Sequence, residues 1–110
     1  MIVEGCYISE WLKPPADSEL SIARARVPPG VTTRWHVLDG VTERYLILAG
    51  AGLVEVGDDP PAGVTPYEIV MIPAGVRQRI RNTGEGDLVF LALCTPPFTA
   101  DAYHDVEPEE

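Results

Sequence analysis

Between Gly30 and Gly50 the chain sets a glycine, a histidine, a carboxylate and a second glycine at fixed offsets: Gly30, His36, Glu43 and Gly50. Histidine and carboxylate are residue types that move protons, because imidazole titrates near neutrality and a carboxylate stabilises its charged form. Placed side by side, His36 and Glu43 are an acid–base pair in their own right. Tyr45 joins them as a candidate proton donor, since strand alternation puts Glu43, Tyr45 and Ile47 on one face and turns Arg44 and Leu46 away. Each has a plainer reading, His36 as a buried histidine hydrogen-bonded to Glu43 and Tyr45 as an aromatic core filler. A second row of residues follows at Pro73, Gly75, Gln78 and Asn82.

The elements that must position these residues read as short strands punctuated by turns. Glu19 to Val27 alternates Leu20, Ile22 and Arg24 against Ser21, Ala23 and Ala25, then stops at Pro28-Pro29-Gly30, which cannot continue a ladder. Glu43 to Leu48 is rich in β-formers, Ala49-Gly50-Ala51-Gly52 is a turn signal, and Leu53 to Val56 resumes, so the pair is expected to form a hairpin. Gly57 to Gly63 is a loop by composition, Glu68 to Ile72 a strand, and Pro73-Ala74-Gly75 a turn into the strand that carries Gln78. After a turn at Asn82 to Gly86 comes the apolar run Leu88 to Cys94, whose Phe90, Ala92 and Cys94 share one face. Eight or so strands at this spacing point to an all-β barrel or sandwich. Only Glu10 to Leu12 and the final fifteen residues leave room for a short helix.

Composition sets the outer limits. At 110 residues the chain is expected to be one domain, residues 1–110, burying roughly two-thirds of its unfolded surface. Hydrophobic residues make up 45%, with no apolar run near the roughly 18 residues of a membrane span. The amino terminus shows no basic segment followed by an apolar one, so the expectation is a cytoplasmic protein. Cys6 and Cys94 lack metal-finger spacing and read as two reduced thiols, Cys94 as an inert buried one. With 17 acidic and 8 basic residues the net charge is −9, which repels a phosphate backbone, so no nucleic-acid partner is expected. Arg77, Arg79 and Arg81 alternate with Gln78, Ile80 and Asn82 and therefore face away from Gln78, as a row pairing with the acidic surplus. Trp35 could stack on a substrate or pack against a neighbouring strand or subunit. His104 is a solvated tail residue or folds back over the site, and the polar tail from Asp101 to Glu110 is expected to fray at its end.

Taken together, the two rows of residues resemble the two motifs of the cupin superfamily, whose members are small antiparallel β-barrels, of the jelly-roll or double-stranded β-helix type, that hold a metal in the barrel mouth. In the first motif the glycine, histidine, carboxylate and closing glycine slots hold Gly30, His36, Glu43 and Gly50. In the second, the acid, proline, glycine and asparagine slots hold Glu68, Pro73, Gly75 and Asn82. The departures are Leu38 in the second histidine slot of the first motif, Gln78 in the histidine slot of the second, and Tyr67 in place of its opening glycine.

The resemblance implies a metal site reduced to His36 and Glu43 with Gln78 as a weak third ligand, holding a weakly bound divalent ion (Fe, Mn, Ni or Zn) and no organic cofactor. It also implies a homodimer, which edge strands in need of cover favour independently. Two functions follow as expectations. One is an enzyme of the dioxygenase, isomerase or lyase class acting on a small polar organic molecule, with His36, Glu43 and Tyr45 as its catalytic groups. The other is a non-catalytic small-molecule binding module with a degenerate metal site. The persistence of Glu43 favours the first, because a buried carboxylate without a task carries a desolvation cost, and the apolar Leu38 in a ligand slot favours the second. In either case the expected pocket lies between His36, Tyr45, Gln78 and Phe90, with Leu38, Ile47, Ala92 and Cys94 as apolar wall.

Overall fold

The computed structural model of the chain describes residues 2, 3 and 5–108. Its strands are β1 (Ile2–Val3), β2 (Cys6–Leu12), β3 (Ser21–Val27), β4 (His36–Leu38), β5 (Thr42–Ala49), β6 (Gly52–Val56), β7 (Ala62–Val64), β8 (Ile69–Ile72), β9 (Gln78–Asn82), β10 (Leu88–Thr95) and β11 (Tyr103–Asp105). One 3-10 turn, Ala100–Ala102, precedes β11. The strands form two antiparallel sheets in the orders β1-β2-β3-β10-β5-β8 and β11-β4-β9-β6-β7. This is the all-β jelly-roll architecture that the strand pattern and the resemblance predict.

Alternation decides which side chains enter the space between the sheets. In β5, Glu43, Tyr45 and Ile47 are buried while Arg44, Leu46 and Leu48 stay partly exposed. Gln78, Ile80 and Asn82 are buried in β9, with Arg79 and Arg81 turned outward. The main core gathers Ala25, Val27, Tyr45, Ile47, Val54, Ile72, Ile80, Leu88 and Phe90 from both sheets. Ile47, Ile80 and Leu88 are fully buried, each contributing about 1.5–3 kcal/mol relative to exposure. A smaller cluster of Leu38, Val41, Cys94 and Ala102 closes one end.

Two expectations are corrected. Strands β5 and β6 do not form a hairpin: β5 pairs with β10 and β8, whereas β6 pairs with β9 and β7. The glycines between them serve a crossing from one sheet to the other. Gly50 has φ +86°, and a Cβ there would lie 2.5 Å from the Asp87 carbonyl oxygen; a Cβ on Gly52 would lie 3.0 Å from that of Arg81. The chain can turn this corner only because it brings no side chain against the β9–β10 turn. That turn is tied by Asn82, whose amide donates to the Val27 and Gly86 carbonyls and accepts from the Gly84 N–H.

The second correction concerns the ends. Glu10–Leu12 lies in strand β2, not in a helix, because β2 pairs along β3 in the first sheet. Upstream of its end the tail forms a strand, Tyr103, His104 and Asp105 pairing with Leu38, Val37 and His36 of β4. It is held there by Arg34–Asp105 and by the Trp35 N–H on the Glu107 carboxylate at 2.6 Å. The final Glu109 and Glu110, where fraying is expected, lie outside the described residues. No helix among the described residues is long and apolar enough to cross a membrane.

Candidate functional site

Side chains from both sheets line a cavity of about 170 Å³. Small residues make room for it. Ser21, Ala23 and Ala25 on β3 and Ala92 and Cys94 on β10 line its floor, where longer side chains would fill the space. Ile8, Leu12, Leu38, Phe90 and Phe98 supply apolar wall, and His36, Glu43, Tyr45, Thr33 and Tyr103 its polar part.

His36 and Gln78 are register partners on β4 and β9, while Glu43 and Tyr45 face them from β5. Gln78 is fully buried, so it stands behind the cavity wall and not in it. From there its amide bridges the two sheets: Nε2 donates to Glu43 Oε1 at 2.8 Å, and Oε1 accepts from the Tyr45 hydroxyl at 2.5 Å. The Cys94 thiol donates to Glu43 Oε2 at 3.6 Å. Burial pushes the pKa of Glu43 up, opposed first by the Gln78 hydrogen bond, then by the attraction of the nearby His36 and by the Cys94 hydrogen bond. Burial, reinforced by the Glu43 charge, pushes the Cys94 thiol up to about 12, so it stays protonated at neutral pH as a buried inert thiol should. Cys6 is likewise a buried thiol outside any disulfide.

The His36 ring is oriented from two directions. Its Nδ1 lies 2.8 Å from the Arg34 carbonyl, which can only accept, so Nδ1 donates. Tyr103 stacks on its face with centroids 5.2 Å apart and planes inclined by 23°. Tyr103, like Thr33, is a site residue that sequence reasoning misses. Its only signal is alternation in the tail: once β11 pairs with β4, Tyr103 turns inward and His104 outward, so His104 is exposed and adds no ligand.

Trp35 is also decided. Its ring faces outward under Arg77 and Arg79, whose guanidinium carbons sit 4.3 and 4.5 Å from its centroid. Those arginines pair with Asp58 and Glu55, each at 2.9 Å, on the outer surface of the second sheet. Ile47, expected as pocket wall, packs in the main core instead.

The donor set can be tested for a metal ion. Among the described residues no three His, Cys, Asp or Glu side chains cluster to hold one. Both Glu43 oxygens accept hydrogen bonds, both ends of the Gln78 amide are engaged, and Leu38 is packed at 3% exposure in the position that would face the same point. Cys94 remains a thiol. Two donors of which one is already hydrogen-bonded do not fit a tightly held first-row ion, which wants about three protein ligands.

Two facing antiparallel sheets with a histidine and a carboxylate at the open end define a jelly-roll pocket protein. The cupin-domain family model matches residues 23–94, and the chain belongs to the cupin family. It is 36% identical over 72 residues to an oxalate-binding protein of Thermotoga maritima, an overlap of 64% of this chain and 58% of that one. The chain thus spans little more than half the length of this curated relative. Among solved structures, a predicted oxalate decarboxylase of Thermotoga maritima superposes with a TM-score of 0.75 at 27% identity, over 83% of this chain and 80% of that one. A Streptomyces protein, PAC13, solved with uridine, superposes with a TM-score of 0.82 at 13% identity, covering 100% of this chain and 85% of that one. At that identity it shows the fold alone. The family match ends at Cys94, so the tail that brings Tyr103 onto His36 lies beyond it.

Proposed function

We propose that this barrel is a small-molecule binding module that works without a metal ion, its ligand held in the cavity between His36, Glu43 and Tyr103. One observation carries the reading: the Tyr45–Gln78–Glu43 hydrogen-bond chain, closed by Cys94, engages the polar groups that a metal site would need. Support for binding as such comes from the cavity's mostly apolar wall with a few convergent polar groups, and from the oxalate-binding relative. Protein purified without chelator should carry substoichiometric metal, equal in the wild type and in His36→Ala. Stoichiometric metal that disappears in His36→Ala overturns the proposal.

A second reading has its own observation. His36, its Nδ1 held by the Arg34 carbonyl, lines the mostly apolar cavity beside the Glu43 carboxylate, a residue pair suited to proton transfer. That is acid–base machinery, and an enzyme of the isomerase or lyase class would use it with Tyr45 as donor. A weakly held divalent ion on Nε2 and Glu43 is the form of this reading that the family suggests. Turnover lost in His36→Gln and restored by no added metal separates the two forms.

The outer face of the first sheet supports a homodimer. Ile69 and Met71 on edge strand β8 are 68% and 57% exposed beside the half-buried Leu46, an apolar strip that a second copy would cover. Sedimentation of Met71→Glu beside wild type tests it: a wild-type monomer refutes the dimer.

A further inference from the structure

The chain has 17 acidic residues and a net charge of −9, yet the strands of the first sheet turn none of those acids outward among the described residues. Strands β2, β3, β5, β8 and β10 hold two carboxylates, Glu10 and Glu43, and both line the cavity on the inner side of the sheet. The outward set is apolar and cationic. Strand register lays it out in rows, with Arg24, Leu91, Leu46 and Ile69 in one and Leu93, Arg44 and Met71 in the next.

Two of its arginines lack a counter-charge. Arg26 pairs with Asp87 at 3.3 Å. Among the described residues, by contrast, Arg24 is in no ion pair, and Arg44 donates to the Thr42 carbonyl and the Thr95 hydroxyl, both neutral. Arg24 and Arg44 are half-buried beside the half-buried Leu91 and Leu93, where a guanidinium loses hydration without gaining the carboxylate that would offset the loss. A second copy meeting this half of the face with its own would bring no carboxylate to it, so the dimer proposed for the β8 strip leaves these arginines unanswered. An anionic membrane is opposed by the negative charge of the rest of the chain. The interior of a sheet also has no unpaired backbone edge for a strand to join, so the element that fits is a helix laid on the face.

We infer that the half of the outer face over β3 and β10 docks an acidic amphipathic helix of another protein, with apolar side chains on Leu91 and Leu93 and carboxylates on Arg24 and Arg44. Spacing defines the helix further. From Arg24 to Arg44 is two strand separations of about 4.8 Å and two residue rises of about 3.4 Å, or about 12 Å along the diagonal that passes between Leu91 and Leu93. A helix covers about 12 Å in eight residues. Its two carboxylates therefore stand seven or eight positions apart, with apolar residues three and four positions after the first. This surface lies on the opposite side of the sheet from the cavity and is independent of what the cavity binds.

The test is a nitrogen-15 NMR titration of the full chain with three alanine-based helical peptides. All carry two sites seven residues apart and leucines three and four residues after the first site; the sites are glutamate, glutamine or lysine. The glutamate peptide should shift amides of β3 and β10, the glutamine peptide should bind about tenfold weaker, and the lysine peptide should not bind. Raising the salt concentration should weaken the glutamate complex. Arg24→Gln, which breaks no ion pair, should weaken the glutamate peptide about threefold and leave the glutamine peptide unchanged. Equal affinity for the glutamate and glutamine peptides, shifts confined to other strands, or no response to any peptide overturns the inference. Capture of the protein by phosphatidylglycerol vesicles without a response to the glutamate peptide overturns it in favour of a membrane, and self-association of the wild type that Arg24→Gln abolishes overturns it in favour of a second copy.

Discussion

Replacing Gln78 by leucine isolates the hydrogen-bond chain that separates this site from a metal centre. The side chain is fully buried, and leucine has nearly its volume, so the change removes two hydrogen bonds with little loss of packing. One bond goes to a carboxylate, worth about 1.5–3 kcal/mol, and one joins neutral groups, worth about 1 kcal/mol. Burying an apolar side chain in place of an amide returns about 1 kcal/mol. The net loss is therefore about 1.5–3 kcal/mol, a large share of the roughly 5–15 kcal/mol by which domains are stable. The loss should also depend on pH. Because the Gln78 bond lowers the pKa of Glu43 against the upward push of burial, its removal raises that pKa further. Between the two native pKa values the variant binds more protons than the wild type, so its deficit shrinks as pH falls. Urea unfolding followed by tryptophan fluorescence at pH 8 and pH 5 measures both effects. A deficit under about 0.5 kcal/mol at pH 8, too small for two buried hydrogen bonds, or one equal at both pH values, refutes the chain as described.

Glu43→Gln alone tests the burial term: a raised native pKa means stability is full below the ordinary value of 4.5 and declines as pH rises through the native one, so the variant should gain on the wild type over that interval and then run parallel. A flat difference across pH would mean Glu43 is not desolvated. Gly50→Ala should cost about 3 kcal/mol or more in chemical denaturation, combining the left-handed backbone penalty of about 1–2 kcal/mol with displacement of the Asp87 carbonyl; a loss below about 1 kcal/mol would show that the corner relaxes freely. Leu38→His places an imidazole two residues from His36 on the same face of β4 and should convert negligible zinc or manganese affinity into measurable binding by calorimetry. Wild type that already binds as tightly would contradict the donor count. Thermal unfolding should be unchanged by EDTA and by a thiol reductant, since the core is apolar and Cys6 and Cys94 are in no disulfide; loss of cooperativity with either would reveal a cross-link.

Local rules carried the sequence a long way. Alternation with a period of two is set by the backbone itself, so the inward set Glu43, Tyr45 and Ile47 and the outward arginines flanking Gln78 were readable from types and order alone. The resemblance carried by Gly30, His36, Glu43 and Gly50 led to the barrel and its open end. Pairing was different, because which strand lies beside which depends on contacts between residues far apart in the chain. Ala49 to Gly52 has the composition of a hairpin turn, yet it carries the chain between sheets. Only the approach of Asp87 to Gly50 and of Arg81 to Gly52, contacts far apart in the chain, requires its glycines. Tyr103 reached His36 by the same kind of contact, since a three-residue strand in a polar tail has no pattern strong enough to announce its partner. Most consequential is the direction of the protons at the site. The sequence determined that His36, Glu43, Tyr45 and Gln78 would meet. The tertiary structure decided that Gln78 stands behind the wall and bridges Tyr45 to Glu43, because hydrogen-bond direction belongs to a three-dimensional network and not to any residue's identity.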